Sequence, residues 1–178
     1  LWFGLNNLNR KSIDKIYLTA SGGPLYKVNL NKFHKVKINQ AVNHPNWKMG
    51  KKISIDSATL MNKVYEVIEA KNIFNISYNN IEILIHPKSY IHAIIKFNNG
   101  LIKIIAHDTT MKIPIFNTLF YNSKKKMISK KINIKFLNTL QLNKVEKKRF
   151  PMVRLLDHLP KKNSLFETVI VSANDMLV

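Results

Sequence analysis

Three isoleucine-rich runs between residues 80 and 106 place the strongest limit on what this chain can fold into. The runs are NIEILIHP, SYIHAIIKF and LIKIIA, and the FNNG turn at residues 97–100 separates the last two. Short β-branched runs that meet at an Asn-Gly turn favour strands and a hairpin. A fourth run, DKIYLTA at residues 14–20, ends at a Gly-Gly-Pro turn and predicts another strand. We therefore expect a sheet that is at least partly antiparallel.

Helical spacing occupies the segments between and after these strands. From Ser57 to Ile73 apolar residues recur three or four positions apart, and Asp56 or Ser57 is a suitable N-cap. The segment IPIFNTLFY after Met111 predicts a helix with Pro114 in its first turn. FPMVRLLDHL and NSLFETVIVSANDMLV also carry helical spacing.

The order of these elements predicts an α/β protein. We expect an α+β domain with a mixed, partly antiparallel sheet flanked by helices at residues 1–120, a basic connector at 121–147 and the start of an α-helical bundle at 148–178. A hydrophobic fraction of 46% in 178 residues is enough for a globular core. The sequence starts without a methionine, and its last helix looks like part of an unfinished bundle. We therefore expect a fragment of a longer protein.

The formal net charge of +19 raises the possibility of nucleic-acid binding, because lysine and arginine neutralise phosphates. The lysines are, however, scattered through a chain that is equally rich in asparagine and isoleucine. The densest basic segment, residues 122–135, lacks the interleaved aromatic residues of a single-strand binder. We interpret that segment as a solvated connector, and we keep a basic RNA-binding module as a less favoured alternative.

The absence of cysteine excludes disulfides and thiolate metal sites, and it suits a reducing compartment. No apolar run approaches the roughly 20 residues that a membrane-spanning helix needs. We therefore expect a soluble protein.

The predicted helix after Ser57 carries several polar side chains on one face, namely Thr59, Asn62, Lys63 and Glu66. One interpretation is a solvent-facing side on which Lys63 and Glu66 form a pair worth a few tenths of a kcal/mol. The alternative is a binding site, because the N–H groups at a helix start and the hydroxyl of Ser57 can hold an anion.

A second candidate anion site lies in the ASGGP turn. Ser21 is followed by two glycines, and the N–H groups of such a turn can converge on an oxyanion. Two serine-bearing sites together with Asn62 and Lys63 indicate a phosphate pocket. Glu66, further along the helix, could bind a metal or act on a substrate hydroxyl.

The segment HPNWKMGKK is typical of a lid. Pro45 stiffens it, Gly50 permits a hinge, and Trp47 and Met49 are large apolar groups outside any periodic pattern. The alternative is a surface loop that packs on its own domain. His44 could donate a hydrogen bond to a phosphate or hydroxyl group.

His86 and His92 lie six residues apart in the strand region and could suggest a metal pair. No aspartate or glutamate accompanies them at ligand spacing. We therefore favour structural roles for both rings.

Five segments together resemble one enzyme family: LTASGGP, HPNWKMGKKISIDSATLMNK, EVIEA, IEILIHPKSYIH and MKIPI. They are similar to 1-deoxy-D-xylulose 5-phosphate reductoisomerases, the NADPH- and divalent-metal-dependent enzymes of the methylerythritol phosphate route to isoprenoids. The resemblance runs from about Ile16 to Pro114, and more weakly from FPMVRLLDHL to SANDM.

The resemblance implies a role for each candidate side chain. Catalytic roles fall to Glu66, Lys63 and His44, and Glu66 is also a ligand of Mg²⁺ or Mn²⁺. Trp47 and Met49 belong to a flexible flap. The implied NADPH neighbours are Gly50, Met49 and Met111, and the implied substrate contacts are Ser21, His44, Ser57, Asn62, Lys63 and Glu66.

The resemblance also implies the reaction and the partners. Members convert the phosphosugar 1-deoxy-D-xylulose 5-phosphate to 2-C-methyl-D-erythritol 4-phosphate. Residues 1–120 would form the catalytic domain, and residues 148–178 the truncated start of the C-terminal helical domain. A homodimer without nucleic-acid or membrane partners is implied, in a bacterial cytoplasm or a plastid stroma.

Two expected parts do not occur in this sequence. It has neither the Gly-rich nucleotide loop nor the Asp-Ser-Glu stretch that completes the family's metal site. Ala20, Val64 and Asp175 stand where the family usually has glycine, glycine and glutamate. We expect these 178 residues alone to lack turnover. The alternative is a non-catalytic remnant that binds phosphate compounds or dimerises.

Overall fold

A mixed five-stranded sheet forms the centre of the protein, in a computed structural model that describes residues 1–5, 8–162 and 164–178. The strands are β1 (Ile13–Ala20), β2 (Ile81–Ile85), β3 (Ile91–Phe97), β4 (Ile102–Ala106) and β5 (Asn143–Lys144). Their order across the sheet is β4-β3-β1-β2-β5. β1 and β2 are parallel, whereas the other neighbouring pairs are antiparallel. The four predicted strands and the mixed α/β class are confirmed.

Isoleucine side chains at the middle of the sheet make its core. Ile16 of β1 lies opposite Ile81 of β2 and Ile95 of β3. Ile16 and Ile95 have 0% of their surface exposed. Because β-branched side chains pack well against cross-strand neighbours, these runs favour the sheet over a helix.

The predicted hairpin joins β3 to β4. Gly100 adopts a φ of +86° in the connecting turn, and its N–H donates to the carbonyl of Phe97 at 3.0 Å. This left-handed conformation suits glycine, which explains the end of the FNNG motif.

Seven α-helices surround or extend the sheet within the described residues. Their bounds are α1 (Trp2–Leu5), α2 (Ile38–Val42), α3 (Lys51–Thr59), α4 (Met61–Phe74), α5 (Lys112–Leu119), α6 (Ile134–Leu137) and α7 (Leu165–Leu177). The predicted helix after Met111 is confirmed as α5, with Pro114 in its first turn. No helix of the described part is long and apolar enough to cross a membrane.

The prediction of one helix starting at Asp56 or Ser57 is wrong. Asp56 and Ser57 lie near the end of α3, and α4 starts at Met61. Leu60 separates the two helices in a left-handed conformation with a φ of 61°. Leu60 and Met61 are 0% and 1% exposed, so apolar spacing continues through the break. Periodicity alone therefore could not locate it.

The segments after residue 120 pack on the preceding part of the chain, and one of them extends the sheet. The predicted connector at 121–147 contributes α6 and the short strand β5, which pairs with β2. FPMVRLLDHL forms a 3₁₀ helix at Pro151–His158 instead of an α-helix, and it follows Phe150, which is 1% exposed. The last predicted helix is confirmed as α7, although its proposed first residue, Asn163, lies outside the described residues.

Candidate active site

The turn that follows β1 lies directly against the backbone of α3. Gly22 and Gly23 adopt φ angles of +88° and +70°. A Cβ on Gly23 would lie 2.3 Å from the carbonyl oxygen of Ser57. Glycine is therefore required at position 23 by both conformation and space. This close approach brings the Ser21 turn and the Ser57 region of α3 together.

His44 orients the hydroxyl group of Ser21. Its Nδ1 accepts hydrogen bonds from the N–H groups of Asn46 and Trp47, both at 3.1 Å. We therefore assign the ring proton to Nε2, which lies 3.0 Å from Ser21 Oγ and donates to it. Burial lowers the pKa of His44, which favours this neutral ring. Ser21 Oγ also accepts from the N–H of Gly23 at 3.1 Å, so its own hydrogen can be donated to a ligand.

Asn46 ties the base of the HPNW segment to the connection between β2 and β3. Its Nδ2 donates to the carbonyl of Pro87 at 2.7 Å and to Ser89 Oγ at 3.0 Å. Asn46 is not among the site residues predicted from the sequence. The sequence feature that could have identified Asn46 is its position as an amide beside a proline, within an otherwise apolar and basic loop. Because its own N–H donates to His44 Nδ1, Asn46 links His44 to the β2–β3 connection.

The break at Leu60 sets the position of the next polar residues. Asn62 and Lys63 lie in the first turn of α4, where backbone N–H groups have few partners within the helix, although the N–H of Lys63 donates to the carbonyl of Leu60 at 3.0 Å. Thr59 Oγ1 accepts from the N–H of Met61 at 3.3 Å, which satisfies one of these groups. The helix start next to Asn62 and Lys63 is therefore that of α4, not one at Asp56 or Ser57 as predicted, and the N–H groups of Met61 and Lys63 there already have acceptors. Ser57 is buried at the other side of the break.

Asn62, Lys63 and Glu66 combine a free acceptor with a close ion pair. The Oδ1 atom of Asn62 is buried and has no hydrogen-bond partner among the described residues. Lys63 Nζ lies 2.6 and 2.7 Å from the two carboxylate oxygens of Glu66. The Lys63 side chain is 13% exposed and that of Glu66 is 42% exposed. The predicted ion pair between Lys63 and Glu66 is therefore present. Its lysine is mostly buried, however, which a purely solvent-facing helix side would not explain.

The two histidines of the strand region have separate partners. His86 is fully buried, and its Nδ1 lies 2.7 Å from the carbonyl oxygen of Gln141. The His92 ring stacks on that of His107 with a centroid distance of 3.6 Å. Burial, followed by the field of His107, lowers the pKa of His92 to about 4. Within the described ranges, no three His, Cys, Asp or Glu side chains form a group that could hold a metal ion.

The predicted flap residues line a shallow cavity next to His44. The cavity has a volume of about 460 Å³, and Trp47, Met49 and Gly50 are among its lining residues. Trp47 and Met49 are half-buried. Gly50 has a φ of −61°, and no described atom lies within 4 Å of the position that a Cβ would take. Neither its own conformation nor its protein neighbours therefore require glycine here.

Met111 stands apart from the other candidate residues. It immediately precedes α5 and is 55% exposed. Its main-chain carbonyl accepts from the N–H of Ile115 at 3.1 Å, which starts the helix. The described contacts do not join Met111 to Ser21, His44 or Lys63.

Two family models match the chain. Residues 1–74 match a model described as 1-deoxy-D-xylulose 5-phosphate reductoisomerase C-terminal domain, and residues 108–178 match one described as DXP reductoisomerase C-terminal domain. The 1-deoxy-D-xylulose 5-phosphate reductoisomerase of Pelagibacter ubique is 57% identical over all 178 residues, which cover 46% of that protein. The chain thus spans just under half the length of this relative.

Solved structures share the fold. The 1-deoxy-D-xylulose 5-phosphate reductoisomerase from Zymomonas mobilis in complex with NADPH matches with a TM-score of 0.86 and 31% identity, covering 100% of this chain and 45% of that one. A DOX-P reductoisomerase in complex with NADPH, fosmidomycin and magnesium matches with a TM-score of 0.76 and 35% identity, covering 83% of this chain and 36% of that one.

Proposed function

This chain belongs to the 1-deoxy-D-xylulose 5-phosphate reductoisomerase family, and we propose that it supplies the substrate-holding part of such an enzyme. The reaction would convert 1-deoxy-D-xylulose 5-phosphate to 2-C-methyl-D-erythritol 4-phosphate with NADPH and a divalent metal. The chain's own contribution would be to bind the phosphosugar, to orient it and to cover it.

The main support is the buried Oδ1 of Asn62, which has no partner among the described residues, together with the mostly buried ammonium of Lys63, the next residue in the chain. A buried acceptor without a donor costs about 1–3 kcal/mol, which a ligand hydroxyl group can remove. Lys63 adds a positive charge for a phosphate. A phosphosugar carries both groups.

We propose that Ser21 and Ser57 hold the phosphate end together with Lys63. The Ser21 hydroxyl accepts from His44 and Gly23, so that its hydrogen is directed to an incoming oxygen. Binding energy from this end helps to position the reacting carbons, which are distant from the phosphate. His44 would act here by fixing Ser21, and it would donate to the ligand itself only by giving up its hydrogen bond to Ser21 Oγ.

NADPH is the cofactor that we propose for the reaction, with Gly50, Met49 and Met111 as its neighbours in this chain. Met49 and Gly50 line the same cavity as His44, which supports this role. Met49 and Met111 would offer adaptable apolar contacts to a nicotinamide ring. Trp47 and Met49 would close over the substrate as a flap and exclude water.

A divalent metal, Mg²⁺ or Mn²⁺, would polarise the carbonyl and hydroxyl oxygens of the substrate. Glu66 fits as one carboxylate ligand, since its side chain is accessible. Lys63 Nζ now contacts both of its oxygens, so the metal would have to displace this ammonium. The described residues do not bring three candidate ligands together, so Glu66 does not form a metal centre by itself. The remaining ligands would come from outside the described residues.

We further propose a homodimer in a bacterial cytoplasm. Ile102 and Ile104 of the edge strand β4 are 61% and 56% exposed, and Leu101 beside them is 65% exposed. An apolar sheet edge favours pairing with another chain, so this is the surface that we assign to the dimer. The similarity to a Pelagibacter protein favours a bacterium over a plastid.

The proposal can be tested by titrating the isotopically labelled 178-residue chain with 1-deoxy-D-xylulose 5-phosphate and following backbone amide signals. We expect the largest shifts at Ser21, Ser57, Asn62 and Lys63. The matched ligand is 1-deoxy-D-xylulose, which lacks the phosphate and should bind at least about tenfold more weakly, as for a lost charged hydrogen bond. Equal affinity for the two sugars would contradict the proposed pocket.

A second measurement separates a substrate-holding part from a self-sufficient enzyme. We expect no NADPH oxidation when the chain is mixed with substrate and Mg²⁺, because its described residues hold neither a complete metal site nor a nucleotide loop. Robust turnover would overturn the proposed division of roles. Loss of phosphosugar binding as well would favour the alternative of a non-catalytic remnant.

A further inference from the structure

Helix α7 lies across the junction between α3 and α4. Its residue Ile170 packs with Met61, Val64 and Ile68 of α4 in one buried cluster. Polar residues near the two ends of α7 contact two different regions of the protein. This arrangement gives α7 a contact on each side of the break at Leu60.

The N-terminal end of α7 is attached to α4 and to the turn that follows it. The Tyr78 hydroxyl donates to Glu167 Oε1 at 3.2 Å, and Lys71 Nζ lies 3.8 Å from the same oxygen. The side chains of Lys71 and Glu167 are only 10% and 9% exposed. A buried ion pair with an added hydrogen bond needs precise placement, because each unpaired charge would be costly.

The C-terminal end of α7 is attached to α3 through Asp56. Asn174 Nδ2 donates to Asp56 Oδ1 at 2.8 Å. Lys52 Nζ lies 2.8 Å from Asp56 Oδ2 and 2.9 Å from Asp175 Oδ1. The Asp56 side chain is 6% exposed, so Asn174 and Lys52 each satisfy one oxygen of a buried carboxylate. These hydrogen bonds, first to Asp56 and then to Asp175, raise the pKa of Lys52.

The junction that α7 spans determines how the candidate site is assembled. Ser57 follows Asp56 in α3, whereas Asn62 and Lys63 belong to α4. A single left-handed residue, Leu60, connects the two helices. The relative placement of Ser57 and Lys63 therefore depends on what holds α3 and α4 together, and α7 contacts both.

We propose that α7 acts as a splint, meaning a helix that contacts both α3 and α4 and fixes their relative placement. In this arrangement Asp56 and Asn174 are positioning residues for Ser57. Neither residue belongs to the set that we assign to substrate contact. They act by holding α3, and through it Ser57, at the distance from Lys63 that a phosphosugar needs. The consequence for ligand affinity rests on the proposed function, whereas the splint itself does not.

The test variant is Asn174→Asp in the 178-residue chain, which places a second carboxylate against Asp56. We expect faster hydrogen–deuterium exchange at the amides of residues 57–63, and an affinity for 1-deoxy-D-xylulose 5-phosphate that is about tenfold weaker. The double variant Asp56→Asn with Asn174→Asp exchanges the amide and the carboxylate. It should restore both measurements towards those of the wild-type chain, which a general loss of stability would not do.

Two further variants complete the experiment. Asp157→Asn removes an exposed pair with Lys147, which lies outside the junction, and should leave exchange and affinity unchanged. Asp175→Asn removes only the more exposed of the two carboxylates that contact Lys52. It replaces Asn174→Asp as the test variant if Asn174→Asp does not fold. We expect it to give a change of about two- to threefold in the same direction.

The outcomes separate the splint from the proposed function. Unchanged exchange at residues 57–63 in a folded Asn174→Asp chain would overturn the splint, as would failure of the exchanged pair to restore it. If the wild-type chain does not bind the phosphosugar at all, the proposed function fails. Hydrogen exchange at residues 57–63 still tests the role of α7 as a splint in that case, because this measurement needs no ligand.

Discussion

The ammonium of Lys63 lies 2.6 and 2.7 Å from the two carboxylate oxygens of Glu66 on the first turns of α4. The pair is an i,i+3 contact in which the lysine is much less exposed than the glutamate. In the proposed enzyme, Lys63 would bind phosphate and Glu66 would bind a metal. Phosphate would therefore compete with Glu66 for Lys63, and the metal would compete with Lys63 for Glu66.

Replacement of Lys63 by alanine tests the positive member of the pair. We expect Lys63→Ala to weaken binding of 1-deoxy-D-xylulose 5-phosphate by about 1.5–3 kcal/mol, as for a lost hydrogen bond to a charged group. Isothermal titration calorimetry would measure this loss. Lys96→Ala is the control, because Lys96 pairs with Asp14 on the sheet surface. An unchanged affinity in Lys63→Ala would remove this lysine from the site.

Replacement of Glu66 by glutamine has the opposite effect on phosphate when no metal is present. The variant releases Lys63 from its carboxylate partner, so inorganic phosphate should bind up to about fivefold more tightly in the presence of EDTA. Titration of the Lys63 amide signal with phosphate would measure it. Weaker phosphate binding in Glu66→Gln would show that the pair does not compete with the anion.

Gly23→Ala should disrupt the approach of the Ser21 turn to α3. Its Cβ would meet the Ser57 carbonyl oxygen at 2.3 Å. Gly100→Ala is a matched control, because Gly100 also has a positive φ but has no described atom within 4 Å of a Cβ. In urea unfolding, we expect Gly100→Ala to lose about 1–2 kcal/mol and Gly23→Ala about 1–3 kcal/mol more. Equal losses would mean that the turn can move away from Ser57 without cost.

His92 should make the stability of the fold depend on pH. Burial and the adjacent His107 lower its pKa from 6.5 to about 4, so the unfolded chain binds the proton first. The free energy of unfolding should therefore fall as the pH is lowered from 6.5 towards 4, by up to about 1.4 kcal/mol per pH unit. His92→Gln should flatten this dependence in denaturant titrations at several pH values. The same slope in the variant would assign it to other groups.

Ile104→Lys should separate the proposed dimer. It places a charge on the exposed edge strand β4, where Ile104 is 56% exposed. Multi-angle light scattering should show a dimer for the wild-type chain and a monomer for the variant. Ile128→Lys is the control, because Ile128 is 98% exposed within the connector. A dimer that persists in Ile104→Lys would place the interface elsewhere.

The elements of the fold that could be predicted are those set by residue patterns over a few neighbouring positions. β-Branched runs, turn glycines and a proline in a first helical turn act over a few positions, and they located β1 to β4, the hairpin and α5. The 3₁₀ geometry of Pro151–His158 and the pairing of β5 with β2 escaped prediction. Both depend on partners that lie far away in sequence.

The family and the types of chemical group at the site were determined by the sequence, because side chains such as Ser21, Lys63 and Glu66 carry their chemistry wherever they lie. Tertiary structure alone decided where these groups lie, for example by placing the Ser21 turn against α3. Leu60 takes a left-handed conformation that its side chain does not favour locally, and burial of its neighbours in the core holds it there. That one residue moves Ser57 from the start of a helix to the end of another. Packing over long sequence distances, such as Asn174 on Asp56, is what local propensity does not encode.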